Sequence, residues 1–332
     1  MISVGIIGMG FIGHVHLSTM RKLPGAKVVA VADRVPANLA ESSVAGNIAI
    51  AGDANLEGVA KYSNGDDLLA DGNVEAVVIG LPTYLHKEYI LKAIQAGKHI
   101  LCEKPMALTA EEGRTILAAL QGYDKTFMVA HCIRFWPAYE KARELVRDRT
   151  YGNVLSAHFV RNSPKPTWGW EGWLLDEHRS GGAILDLHIH DVDYVYDLFG
   201  EPLSIQAVGL REGNEGIGQV TALYSYRDGK SLTLDGGWPY FPSFPFRMMF
   251  RIAMERATIE FNSLVDQNLH VHTASGEHLT PEIPEGDGYL REQKYFFECV
   301  EKRRQPTAVT AESALQCLSL VEAEREAISR HG

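Results

Sequence analysis

Two distant stretches of this chain hold side chains of the types that move protons and steady charge. In the first, Glu103-Lys104-Pro105 follows an apolar run. In the second, SGGAILDLHIHDVDYVYDLFG (180–200), Asp186, His190 and Asp193 stand at i, i+4 and i+7. That spacing puts the three on one face of a helix. A histidine, with an ordinary pKa of about 6.5, takes a hydroxyl proton near neutrality, and a lysine steadies the alkoxide that develops. The two would suit oxidation of an alcohol by hydride transfer, with His190 as proton acceptor and Lys104 as the positive group. The plainer readings are a solvated lysine at a strand end and a satisfied core histidine. His188, His190 and Asp191 invite a metal, but alternate positions on a helix diverge, so no metal is expected.

Hydride transfer needs a carrier, and the first line of the sequence offers a seat for one. VGIIGMGFIGHVH (4–16) has Gly8, Gly10 and Gly13 in G-x-G-x-x-G spacing, with Phe11 and Ile12 inside the turn. Residues 3–7 read as a buried strand, 13–23 as a helix stopped by Pro24-Gly25, and 27–34 as a second strand. Asp33 closes that strand, twenty residues beyond Gly13. Strand, glycine turn, helix, strand and acid in this order form the dinucleotide fingerprint. Gly8 permits the tight turn, Gly10 lets backbone amides near a pyrophosphate, and Gly13 lets helix and strand pack closely. Asp33 accepts hydrogen bonds from the adenosine ribose and repels the extra phosphate of NADP, so NAD is the expected cofactor. Arg34 stacks on adenine or offsets that repulsion.

The alternation of strand and helix runs on. Residues 75–82 and 98–105 read as strands, a T-x-x-E capping box at Thr109 and Glu112 opens a helix, and 126–132 is the last strand of the series. Strands apolar on both faces imply a parallel sheet whose ligands sit beyond the carboxyl ends. The second half has another rhythm. After a helix at 137–147, strands dominate (153–161, 202–211, 217–226, 230–238, 246–254, 257–262), with helices at 185–199, 289–303 and 311–329. The expected fold is α/β: a Rossmann dinucleotide-binding domain (1–132), then an α/β substrate-binding and oligomerisation domain (133–332) with a large open, mostly antiparallel sheet. Such a sheet needs its outer face covered, so a homodimer or homotetramer is expected.

Composition narrows the partners. The 332 residues carry 32 basic against 42 acidic side chains, a formal charge of −10, which disfavours nucleic acid and anionic membrane surfaces. No apolar run is long enough to span a bilayer, and no basic start precedes the first apolar stretch as a secretory leader requires. Cys102, Cys132, Cys299 and Cys317 are widely spaced and form no C-x-x-C pair, which suits a reducing cytoplasm.

GMGFIG (8–13), LPTYLH (81–86), CEKP (102–105), RFWPAY (134–139), GGAILDLHIHDVD (181–193) and YLREQKYFFECV (289–300) together resemble the Gfo/Idh/MocA family of sugar and inositol dehydrogenases. The resemblance runs almost the whole chain. It implies an NAD(P)-dependent oxidoreductase acting on a secondary hydroxyl of a sugar, sugar derivative or cyclitol. It further implies that Lys104 sits between nicotinamide ribose and substrate, that Asp186 holds a substrate hydroxyl, and that His190 is the acid/base. Leu81, Thr83, His86 and Glu103 match positions lining the nicotinamide side. His188 departs from the pattern, since many members carry glycine there, and it is expected to point into the core.

PTWGWEGWLLDEHR (166–179) places Trp168, Trp170 and Trp173 before the catalytic helix. Aromatic faces suit sugar rings, and the alternative is a tryptophan-rich core loop. Arg161 reaches a substrate carboxylate or hydroxyl in one reading and the surface in another. The rival functions are a redox-neutral glycosidase or lyase that keeps its cofactor, and a nucleotide sensor without chemistry. Retention of both Lys104 and His190 argues against the sensor.

Overall fold

A computed structural model describes residues 1–40 and 55–330. Strands β1 (Ile2–Ile7), β2 (Ala26–Ala32), β3 (Ala60–Tyr62), β4 (Ala76–Ile79), β5 (His99–Glu103) and β6 (Phe127–Ala130) make one sheet in the order β3-β2-β1-β4-β5-β6. All its paired neighbours are parallel. A second sheet holds β7 (Val154–Pro164), β8 (Ser204–Arg211), β9 (Ile217–Ser225), β10 (Ser231–Tyr240), β11 (Arg247–Met254), β12 (Ala257–Asn262), β13 (His270–Thr273) and β14 (His278–Leu279). Its order is β14-β13-β12-β11-β7-β10-β9-β8, antiparallel except where β10 runs parallel to β7. The helices are α1 (Phe11–Met20), α2 (Gly65–Ala70), α3 (His86–Gln95), α4 (Ala110–Ala119), α5 (Pro137–Arg147), α6 (Glu177–Ser180), α7 (Ile189–Phe199), α8 (Gly288–Glu301) and α9 (Ala311–Ser329). The parallel sheet and the mostly antiparallel sheet are the two expected from the sequence.

The chain forms two compact units. The first comprises Met1–Cys132, Trp168–Trp173 and Gly288–Leu318, and the second Ile133–Thr167, Leu174–Asp287 and the chain from Ser319 on. Beside the expected division at 132/133, the chain therefore returns twice to the first unit.

In the first unit, every residue of β4 and β6 is buried, as a sheet covered on both faces requires. The cap expected at Thr109 forms, with Glu112 N–H donating to Thr109 Oγ1 at 3.2 Å, while Glu112 Oε2 reaches one residue further back and accepts from Leu108 N–H at 3.2 Å. Asn64, which the sequence reading passed over, caps α2 by accepting from Asp67 N–H at 2.9 Å. Such a cap is worth about 1 kcal/mol. Strands β3, β13 and β14 and helix α2 also went unread, because two to six residues carry no clear period.

The second unit packs α5 and α7 on its sheet through an aromatic cluster. Tyr139 meets Tyr194, Phe250 and Phe261 edge-on with ring centroids 4.9, 4.8 and 5.5 Å apart. Tyr194 O–H donates to the Tyr139 carbonyl at 2.7 Å, so the buried phenol keeps a partner. Each fully buried aromatic contributes about 1.5–3 kcal/mol by leaving water. This platform carries the functional turn described next.

Candidate functional site

In the first unit the glycine turn is built as its spacing requires. Gly8 has φ +93°, and a Cβ there would come 2.5 Å from the Gly80 carbonyl oxygen. A Cβ at Gly13 would come 2.0 Å from the Gly8 oxygen, so strand and helix leave no room for a side chain. Gly10 differs, since a Cβ there would meet no atom of the described residues within 4 Å. Packing among the described residues does not demand that glycine, which leaves room there for a ligand. Gly10 also begins α1 without a side-chain cap, and the first turn holds no acid. Unsatisfied amides and a positive helix end suit an anion. The helix starts at Phe11 rather than Gly13 because the turn closes at Gly10. Phe11 and Ile12, both half-buried, make its first turn.

Asp33 has a further task that its position did not reveal. Its carboxylate accepts from Met9 N–H at 2.7 Å, Val35 N–H at 2.7 Å and Asn38 Nδ2 at 3.1 Å, which ties the end of β2 to the glycine turn. A carboxylate offers about four acceptor sites, so one stays available for a hydroxyl donor. Arg34 lays its guanidinium 3.8 Å from the centroid of the Trp170 ring. One face of Trp170 thus carries a cation, in the unit that also includes Trp168 and Trp173, both half-buried.

The end of β5 is held from two sides. Gln293 Nε2 donates to His16 Nδ1 at 2.7 Å, so His16 carries its proton on Nε2 and donates it to Glu103 Oε1 at 2.8 Å. Glu103 Oε2 accepts from the Lys104 amide at 3.1 Å. Burial alone would raise the Glu103 carboxyl, but the bond from His16 and the nearby Lys104 hold it below its ordinary value. Lys104 is half-buried, and its peptide to Pro105 is cis. His86, 1 % exposed, has Nδ1 2.6 Å from the Pro105 carbonyl and Nε2 2.8 Å from the Leu81 carbonyl. Burial pushes its pKa down, and a neutral ring donates to only one of the two oxygens. His86 thereby ties the loop after β4 to the loop after β5, with Thr83 buried beside it in the chain.

In the second unit a π-turn (Ile184–His188) leads into α7. Of residues 180–195, all are buried except Asp186 and His190. Asp193 does not join them. It is fully buried and gripped by Arg134, with Nε and Nη2 donating at 2.8 and 2.6 Å. This corrects the one-face reading for a physical reason: the wider π-turn spans Asp186 and runs on to His188, so α-helical offsets counted from Asp186 are out of phase. Arg161 is also corrected. It is 1 % exposed and donates through Nε and Nη2 to Asp191 at 3.0 and 2.8 Å, so the carboxylate it reaches is the chain's own. His188 points into the core as expected, with Nε2 3.1 Å from Glu324 Oε1.

His16, Gln293, Arg134, Tyr224 and Glu324 escaped the sequence reading. Their one signal was a polar residue inside an apolar helical or strand stripe, which names no partner.

Comparison with known proteins settles the ancestry. The family described as "Oxidoreductase family, NAD-binding Rossmann fold" matches residues 2–131, and "GFO/IDH/MocA C-terminal domain" matches residues 139–260. Inositol 2-dehydrogenase of Rhizobium meliloti (strain 1021) is 30% identical over 308 residues, 88% of this chain and 82% of that protein. The chain belongs to the GFO/IDH/MocA oxidoreductase family. Within this family it is also 32% identical over 256 residues to 2,7-anhydro-N-acetylneuraminate hydratase of Escherichia coli (strain K12), covering 72% of this chain and 63% of that protein. The chain spans only about half to two thirds of the length of that relative and two others like it. Levoglucosan dehydrogenase in complex with NADH and levoglucosan shares the fold with a TM-score of 0.84 at 23% identity, over 100% of this chain and 98% of that one. Among the described residues, no helix is long and apolar enough to cross a membrane.

Proposed function

We propose that this GFO/IDH/MocA member is an NAD-dependent dehydrogenase of a secondary hydroxyl on a sugar, sugar derivative or cyclitol. The observation that carries the reading is the exposure pattern of residues 180–195, where only a carboxylate and an imidazole, Asp186 and His190, reach the surface. A bound nicotinamide supplies the hydride acceptor. Asp186 orients the substrate hydroxyl, His190 takes its proton, and the Lys104 ammonium steadies the oxygen as negative charge develops. The glycine turn supplies unsatisfied amides for the pyrophosphate, and the remaining acceptor site of Asp33 takes the ribose hydroxyl. The Asp33 carboxylate disfavours a 2′-phosphate, which makes NAD the cofactor. No step requires a metal. Leu155, Val208 and Leu210 on the second sheet are more than half exposed, which favours a dimer or tetramer built on that sheet.

The hydratase relative favours a second reading, a redox-neutral cycle in which the cofactor stays bound. One experiment separates them. Free sugars, cyclitols and aryl glycosides are offered with NAD⁺, and NADH and released phenol are followed together. NADH formed in proportion to oxidised sugar supports the dehydrogenase. Many turnovers of phenol release without NADH, with solvent deuterium entering beside the oxidised carbon, would replace it with the redox-neutral cycle.

A further inference from the structure

The second unit contains a buried ionisable cluster that the proposed reaction does not use. His188 and Glu324 are both fully buried, and His188 Nε2 donates to Glu324 Oε1 at 3.1 Å. Tyr224 O–H from β9 donates to the same oxygen at 2.9 Å. The imidazole fills space that a side chain on β10 would otherwise take, since a Cβ at Gly236 would come 2.6 Å from His188 Nδ1. The next residue of α9, Arg325, donates from Nη2 to the Gly181 carbonyl at 2.6 Å. Two consecutive residues of α9 therefore grip the two ends of segment 181–188, which carries Asp186 and runs straight into His190.

Buried charge pairs are poor sources of stability, because desolvation offsets their attraction. Here Glu324 Oε2 and His188 Nδ1 are buried with no hydrogen-bond partner among the described residues, which makes the cluster costlier still. Such pairs are retained most credibly where they select one arrangement over its neighbours. A π-turn is such a case, because slipping by one residue would restore α-helical phase and rotate Asp186 against His190. Acids around the imidazole come from three elements: Glu324 on α9, Asp191 on α7 and Asp235 on β10, with Asp191 itself held by Arg161. Burial works against the imidazolium, yet these carboxylates raise its pKa overall.

We propose that His188 and Glu324 are a positioning pair which, with Arg325 on the Gly181 carbonyl, locks the phase of the π-turn and so the direction of Asp186 and His190. The pair rests on the dehydrogenase reading for its purpose, but its geometry is testable without it. Glu324→Gln keeps the shape and removes the charge, and His188→Asn removes the ring. Each lowers kcat about tenfold and leaves KM for NAD⁺ within twofold. Because the two act through one contact, the double variant loses no more than the worse single. Losses that multiply to about a hundredfold, or a lower melting temperature with unchanged kcat, overturn the proposal. If Glu324→Gln does not fold, Tyr224→Phe removes the hydroxyl that donates to Glu324, and a loss of about threefold in kcat replaces the tenfold one; unchanged kcat there overturns the proposal equally. Should no sugar or cyclitol be oxidised, side-chain histidine NMR decides the question in the absence of substrate. The His188 pKa, raised in the parent by the surrounding carboxylates, falls in Glu324→Gln, while the single His190 resonance broadens or doubles. A His190 resonance unchanged by Glu324→Gln overturns the pair whatever the reaction is. Glu326→Gln, at an exposed i,i+4 pair with Arg330, is the control and alters neither signal.

Discussion

The glycine turn of the first unit and the π-turn of the second present functional groups by opposite means. The glycine turn is made of backbone: missing side chains at Gly8 and Gly13, bare amides at the start of α1, and one carboxylate from β2 tying the loop down. The π-turn and the α7 it enters are braced by side chains, with Glu324 on His188 in the turn and Arg161 on Asp191 and Arg134 on Asp193 in the helix, all nearly or fully buried. A backbone cradle binds whatever carries the right charge at the right spacing. A charge-braced turn aims particular side chains in particular directions, which is what proton transfer needs. The comparison teaches that a turn built from backbone depends on where side chains are missing, while a turn braced by charge depends on which side chains meet.

The largest expected effect tests what the π-turn aims. His190→Ala lowers kcat by roughly 10²–10⁴, the range for losing a general acid–base, with NADH affinity unchanged by fluorescence titration. Full activity with an ordinary pH profile would return His190 to the core. Next comes the bracing itself. Arg161→Leu leaves Asp191 buried and unpaired, and chemical denaturation should report a loss of about 3–5 kcal/mol. Adding Asp191→Asn should recover part of it, and no recovery would mean that Arg161 acts by packing alone. In the other region, Gly13→Ala forces helix and strand apart and costs about 1–3 kcal/mol, with weaker NADH binding as the companion readout. Asp33→Ser should then shift the ratio of kcat/KM for NADP over NAD upward by roughly tenfold, or 1.4 kcal/mol. A ratio that stays put would leave Asp33 with only its structural bonds to Met9, Val35 and Asn38.

The smallest effect sets the two regions against each other by pH. His188, raised by Glu324 and its neighbours, contributes stability that is fully present below the unfolded pKa of about 6.5 and is lost as pH rises through the higher folded value. His86, pushed down by burial, has the opposite sign, so stability falls as pH drops below about 6.5 towards its folded value. Melting curves of the parent against His188→Asn should therefore converge on the alkaline side. Against His86→Asn they should converge on the acid side. Convergence on the same side would mean that one of the two rings shifts in the opposite direction, and curves that stay parallel for either variant would mean that the ring it lacks titrates as it does in water.

Much of the first region was legible in the sequence because its demands fall at fixed offsets: Gly8, Gly10, Gly13 and Asp33 lie within one strand–helix–strand unit. The cap at Thr109 and the bounds of α5, β12 and α9 were legible for the same reason. The second region was legible only in its outward-facing pair, Asp186 and His190. Its braces join residues 30 positions apart for Arg161 and Asp191, and 136 apart for His188 and Glu324. No local pattern encodes such partners, and an arginine destined for a buried carboxylate looks the same in sequence as one destined for a ligand. The π-turn was invisible for another reason, since a single extra residue in a turn leaves apolar periodicity almost intact.

The bond from Gln293 to His16 joins residues 277 positions apart within the first unit. During synthesis, at about 5–20 residues per second, roughly 14–55 s separate the appearance of the two. Through that interval the nascent glycine turn and β5 exist without α8, and Glu103 faces a histidine whose second nitrogen has no amide to answer it. The first unit is therefore completed only once α8 has left the ribosome. A ribosome stalled before residue 293 would hold a parallel sheet whose β5 end is still unset, and the cofactor would find its seat only after α8 has docked.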